Sequence, residues 1–145
     1  MTVRLEGLED LRRVLATADL KIKVAVNREV DKIATDIENE SWALAPWDEG
    51  ILAGSVTKTK SSTGGFISQT VAYGGPGAPY ALIQHEKEDW WHPPKPPGKS
   101  KVGKKSGIGP GIPGQTRGAK YLEIPAKRHQ RTLVPRMIAA INKVL

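Results

Sequence analysis

The spacing of apolar and polar residues changes several times along the chain, and each change predicts a different element. Thr2, Val3, Arg4 and Leu5 alternate, with Val3 and Leu5 facing one way, which predicts a short strand. Gly7 breaks it, and Leu8, Leu11, Val14 and Leu15 follow at helical spacing. The clearest periodicity comes next. Val26, Val30, Ile33, Ala34, Ile37 and Leu44 fall on one stripe, while Arg28, Glu29, Asp31, Lys32, Asp36 and Glu38 lie mostly on the opposite face. This predicts a long amphipathic helix over 20–45 with one buried side, stopped by Pro46.

Beyond Pro46 the period shortens to two. Val56, Lys58 and Lys60 alternate with their neighbours, and Phe66, Ser68, Thr70 and Ala72 alternate against Ile67, Gln69, Val71 and Tyr73. Gly64-Gly65 between these runs is a hairpin signal, so two antiparallel strands are expected, the first over 55–60, with the long helix covering one face. "GGPGAP" reads as a turn out of the second strand. "PYALIQHE" is short and apolar through Leu82 and Ile83, compatible with a strand or a helical turn. Leu133, Met137, Ile138, Ile141, Val144 and Leu145 mark a last helix that Pro125 and Pro135 should start or bend.

At 145 residues the chain is the size of one domain. It has no run of apolar residues long enough for a membrane span, no apolar signal-peptide centre near its start and no cysteine, which excludes disulfides and thiolate metal sites. The formal net charge of +7 suggests a nucleic-acid binder until it is mapped. Lys95, Lys99, Lys101, Lys104, Lys105 and Arg117 fall in 93–118 without one acidic residue, leaving the rest of the chain near neutral. Half of that segment is glycine or proline and none of it is aromatic, so by itself it cannot bury enough surface to offset its ordering entropy. A mobile basic loop over 93–118 is therefore expected within a single domain over 1–145.

Residue types that carry chemistry are present, but not at catalytic spacings. His85 and Glu86 are adjacent and His92 is seven residues from His85, whereas a zincin needs two histidines four apart around a glutamate. His129 sits among Lys127, Arg128 and Arg131, which oppose a cation. No serine or threonine lies in a nucleophile elbow, and "GGPGAP" lacks the lysine-serine/threonine ending of a phosphate loop. An enzyme using His85, Glu86 and His92 is the weakest reading, and no cofactor or metal is expected. The lysine tract would neutralise phosphates, yet readers of single strands interleave aromatics, and the only ones nearby are Trp90 and Trp91 at its root. Neighbours on an extended chain point to opposite sides, so these two rings hardly share one core. They either cover a loop-and-sheet junction or anchor a protein interface.

Four motifs follow one another along the chain: "G-L-x-x-L-x-x-x-L" from Gly7 to Leu15; "A-P-x-D-x-G-x-L-x-x-S" at Ala45, Pro46, Asp48, Gly50, Leu52 and Ser55; a tyrosine-alanine segment closed by a glutamate at Tyr80, Ala81 and Glu86; and "K-[FY]-L-x-x-P" at Lys120, Tyr121, Leu122 and Pro125. Together they resemble the small neck or tail-completion proteins that join head to tail in long-tailed bacteriophages. The chain departs from the family pattern at "HEKEDWWHP", where a glycine-threonine usually follows the glutamate, and in the length of its basic loop. The resemblance implies a structural virion protein that forms a homo-oligomeric ring around the DNA channel. Its neighbours would be the head-closure or adaptor protein and the tail terminator.

The expectation is thus a single α+β domain in which the long helix and a C-terminal helix pack on a small antiparallel sheet. Pro46, Asp48 and Gly50 would reverse the chain at a fixed angle into the first hairpin strand. Glu86 is expected to pair with a basic residue, one carried by a neighbouring subunit being an option. Trp90, Trp91, Lys95, Lys99, Lys101, Lys104 and Lys105 are the expected partner contacts. The function expected is head-to-tail connection within the virion, assembled in the bacterial host cytoplasm, with viral DNA passing through the channel and no membrane. The alternative is a basic nucleic-acid-binding protein.

Overall fold

A computed structural model describes residues 1–4, 20–46, 50–86 and 118–145. Its elements in chain order are strand β1 (Thr2–Arg4), helix α1 (Leu20–Leu44), a one-turn helix α2 (Ile51–Gly54), strands β2 (Thr57–Thr63) and β3 (Phe66–Ala72), a short helix α3 (Ala81–Glu86) and helix α4 (Glu123–Asn142). The fold is α+β, with a three-stranded antiparallel sheet in the order β1-β3-β2. The helix predicted over 8–15 and the basic loop up to Arg117 lie outside the described residues.

The stripe read along α1 is the core. Val26, Val30, Ile33, Ala34, Ile37 and Leu44 are all buried, and each large aliphatic among them contributes about 1.5–3 kcal/mol by leaving water. They pack on the face of β3 that carries Ile67, Val71 and Tyr73. Leu133 and Met137 of α4 complete the cluster from the other flank of α1. Ile138 and Leu145, read as markers of the last helix, are instead exposed, and the buried side of α4 is Pro125, Ala126, His129, Leu133 and Met137.

Local chemistry explains the turns. Both Gly64 and Gly65 have positive φ, the backbone of a two-residue hairpin whose twist matches its strands, and Thr63 pairs with Phe66 across it. Helix α1 ends at Leu44, one residue before the pair Ala45-Pro46, because proline has no N–H to continue the ladder. The Leu44 carbonyl left over accepts a hydrogen bond from Gly118 N–H at 2.9 Å. Gly50, at φ 80°, opens α2, which buries Leu52 and Ala53.

One expectation is corrected in detail. The first hairpin strand runs Thr57–Thr63, not over 55–60, because residues 51–54 turn into α2 and Ser55 belongs to its end. Ser55 Oγ donates to Leu52 O at 2.7 Å and accepts from Gly74 N–H at 3.1 Å, tying this corner to the exit of β3. Helix α4 begins at Glu123 and continues through Pro135. Pro125 falls in the first turn, where no intrahelical donor is needed. The ambiguous "PYALIQHE" is helical as α3.

Candidate functional site

Among the expected contact residues, Glu86 is the one within the described structure; Trp90, Trp91, Lys95, Lys99, Lys101, Lys104 and Lys105 lie outside it, as does His92. Glu86 ends α3, the last described residue before 87–117, and Gly118 is the first one after. The two ends are tied together. Lys120 N–H donates to the His85 carbonyl at 2.9 Å, and Lys120 Nζ donates to Glu86 Oε2 at 2.6 Å. The same ammonium lies 3.3 Å from Glu123 Oε2, and Glu123 also pairs with Lys127. The partner of Glu86 is therefore in its own chain. The reason is the reversal that brings Lys120 beside the end of α3.

Lys120 has φ 57°, the left-handed region that side chains other than glycine seldom adopt. Its backbone N–H and its ammonium are both held by α3, which is what fixes so unusual a conformation. Hydrogen bonding from Lys120, and then from His85, holds the Glu86 carboxyl below its ordinary value, and the bond to Glu86 raises the Lys120 ammonium.

Beneath this surface pair lies a buried column. Glu123 N–H donates to His85 Nε2 at 3.3 Å, so that nitrogen carries no proton, and Nδ1–H donates to Glu86 Oε1 at 2.7 Å. His85 thus supplies an acceptor to the first turn of α4 from a different helix. Its ring meets Tyr121 edge-on at 5.1 Å, and Tyr121 meets Tyr73 in the same way at 5.0 Å. Tyr121 Oη donates to the Ala81 carbonyl at 2.9 Å, and Tyr73 Oη shares a 2.8 Å hydrogen bond with Ser41 Oγ on α1. Burial pushes the Tyr121 phenol well above the usual tyrosine range, so it remains a donor. The column joins α1, the exit of β3, α3 and the start of α4.

A second polar seam joins α1 to α4. Arg136 bonds Glu29 at 2.7 Å and Asp36 at 3.0 Å, and Glu40 receives Arg128 at 2.9 Å and His129 Nε2 at 2.8 Å. Glu29 and Asp36, which the periodicity set opposite the apolar stripe, therefore dock a helix together with Glu40. Their opposite charge to the arginines of α4 was the available signal; which arginines meet which acids depends on the helix crossing. Lys58 plays a similar part on the other flank, donating to Thr35 Oγ1 at 2.7 Å and lying 3.8 Å from Glu38.

Both nitrogens of His85 are engaged, and His129 is held between Glu40 and Arg136. Among the described residues no group of three or more His, Asp or Glu is arranged to hold a metal ion, and no helix is long and apolar enough to cross a membrane. What the Glu86–Lys120 arrangement can do is mechanical: it holds the two ends of 87–117 at one place on the body. Comparison with protein-family models, with curated proteins and with solved structures finds no match for the chain.

Proposed function

We propose that this chain is a structural subunit of the head-to-tail connector of a long-tailed bacteriophage, forming a ring of copies around the DNA channel and joining head to tail. The observation that carries the reading is the meeting of two of the motifs that resemble neck proteins. Glu86, which closes the tyrosine-alanine segment, bonds Lys120, which opens the lysine-tyrosine-leucine segment, and Tyr121 bonds Ala81 between the same two segments. An α+β body that holds the residues on either side of 87–117 together suits a ring subunit that reaches adjacent rings through its basic segment. Closure of such a ring by rotation requires heterologous contacts, since its two faces meet different proteins. In this reading the partners are further copies, the head-closure or adaptor protein, and the tail terminator. Trp90, Trp91 and the lysines from Lys95 to Lys105 make the contacts, and the protein works in the virion without catalysis.

The second reading, a nucleic-acid-binding protein, is favoured by the concentration of positive charge in 93–118. One variant separates the two: Lys99, Lys101, Lys104 and Lys105 all changed to glutamate. The connector reading expects it to fold normally and to leave DNA-filled heads unable to join tails. A dedicated DNA arm would give a log–log salt slope of roughly −4 to −5, from about 0.9 per phosphate neutralised. Micromolar DNA binding by the native protein at physiological salt, lost in the variant while joining proceeds, would replace the connector reading with its rival.

A further inference from the structure

Helix α4 has two apolar sides, and only one is covered. Pro125, Ala126, His129, Leu133 and Met137 face α1 and the core. On the opposite side Ile124, Lys127, Arg131, Val134 and Ile138 follow one another at steps of three, four or seven residues, which places them on one stripe. The stripe continues past the end of the helix to Leu145, whose N–H still bonds the Ile141 carbonyl at 3.2 Å. Ile124 is 44% exposed, Val134 63%, Ile138 53% and Leu145 84%. Single exposed apolar residues are ordinary, but four on one line of one helix form the kind of surface that a partner covers.

Charge narrows the choice of partner. From Ile124 to Leu145 the sequence holds Lys127, Arg128, Arg131, Arg136 and Lys143 and no acidic residue. Arg128 and Arg136 turn inward to the acids of α1, and Lys127 is engaged by Glu123. The exposed Arg131 side chain has no ion pair among the described residues, and it lies within the stripe, seven residues from Ile124 and seven from Ile138. A second copy would bring its own Arg131 to the same seam, with no acid from Ile124 to Leu145 to answer either one. Duplex DNA would meet four aliphatic side chains where phosphates need donors.

We propose that the outer stripe of α4 docks an amphipathic helix of a partner protein, one with an aliphatic seam and acidic flanks. Aliphatic residues at i, i+3 or i+4 spacing on that helix would cover Ile124, Val134, Ile138 and Leu145, while its carboxylates reach Arg131. This surface is distinct from the Glu86–Lys120 pair and does not depend on the connector reading.

The test uses the purified chain and a dye-labelled four-heptad peptide with leucine at a and d and glutamate at e and g, followed by fluorescence anisotropy. Native protein is expected to bind it. Ile138→Asp and, separately, Arg131→Glu are expected to weaken binding about tenfold or more while leaving the melting temperature nearly unchanged, since both side chains are exposed. Replacing the peptide's glutamates with lysines should weaken binding to the native protein to a similar degree. The proposal is overturned by absence of binding, by equal binding of the two peptides, or by binding that survives both variants. It is also overturned if the Ile138→Asp variant abolishes a native dimer seen by ultracentrifugation, or if vesicles of phosphatidylglycerol and phosphatidylcholine compete the peptide away through the same residues.

Discussion

Lys120 Nζ lies 2.6 Å from Glu86 Oε2, and between these residues in sequence runs the whole of 87–117. The pair is half exposed, so its worth lies in geometry more than in stability. Lys120 is also the single residue other than glycine with positive φ among those described, which ties an unusual backbone to an ion pair between the two sides of 87–117.

The pair should leave a mark on the acid side of the stability profile. Glu86 has its carboxyl held below the ordinary 4.5 by Lys120 first and His85 second. A depressed folded pKa contributes stability above the unfolded value and loses it as pH falls through the folded one. Glu86→Gln removes that contribution. Native and variant melting temperatures are therefore expected to differ slightly near neutral pH and to converge below pH 4.5. A difference that stays constant on acidification would show that the carboxylate's ionisation is not involved.

Tyr121→Phe tests the buried column. The ring remains, but the Ala81 carbonyl loses the phenol as a donor and keeps only its helical one, at an expected cost of about 0.5–1.5 kcal/mol. Ile37→Ala, at the centre of the α1 stripe, should cost about 2–5 kcal/mol through lost burial and a cavity. Chemical denaturation of both variants gives the order. A Tyr121→Phe protein as stable as the native one would mean that the phenol bond adds nothing to the helical one at the Ala81 carbonyl.

Gln69 sits at the boundary between β3 and α1 with its Nε2 donating to Asp31 Oδ1 at 2.6 Å. Its Oε1 is buried and has no hydrogen-bond partner among the described residues. Removing both ends of such an amide should relieve the desolvated oxygen, while Asp31 remains accessible to water. Gln69→Met is expected to be neutral or to stabilise by about 1 kcal/mol. A clear loss of stability would indicate that the Asp31 bond outweighs the orphaned oxygen.

Under the connector reading, Trp91→Ala should impair particle assembly more than folding, because a ring at a subunit contact matters only once the contact forms. Melting temperature and infectivity of this variant would be compared with those of Ile37→Ala. Equal losses of melting temperature would assign Trp91 to the core.

Much of the architecture was legible because it depends on local rules. The α1 stripe, the Gly64-Gly65 hairpin, the stop at Pro46 and the existence of the last helix all follow from period, backbone freedom and missing donors. The start of the first hairpin strand was misplaced because Leu52 and Ala53 suit a buried turn of helix as well as a strand, and burial decided between them. Glu86 was legible as a residue in need of a cation, but its partner was not.

The sequence by itself determined which faces are apolar, where the chain must turn and that its charge is concentrated in 93–118, since each depends on residues close together along the chain. The tertiary structure alone decided that Glu86 meets Lys120, that His85 caps α4, that Arg136 bridges Glu29 and Asp36, and that the apolar residues of α4 divide into a buried and an exposed stripe. Those are relationships between elements far apart in sequence. No local period encodes them, because they depend on how the helices cross and on which side of α1 the last helix comes to rest.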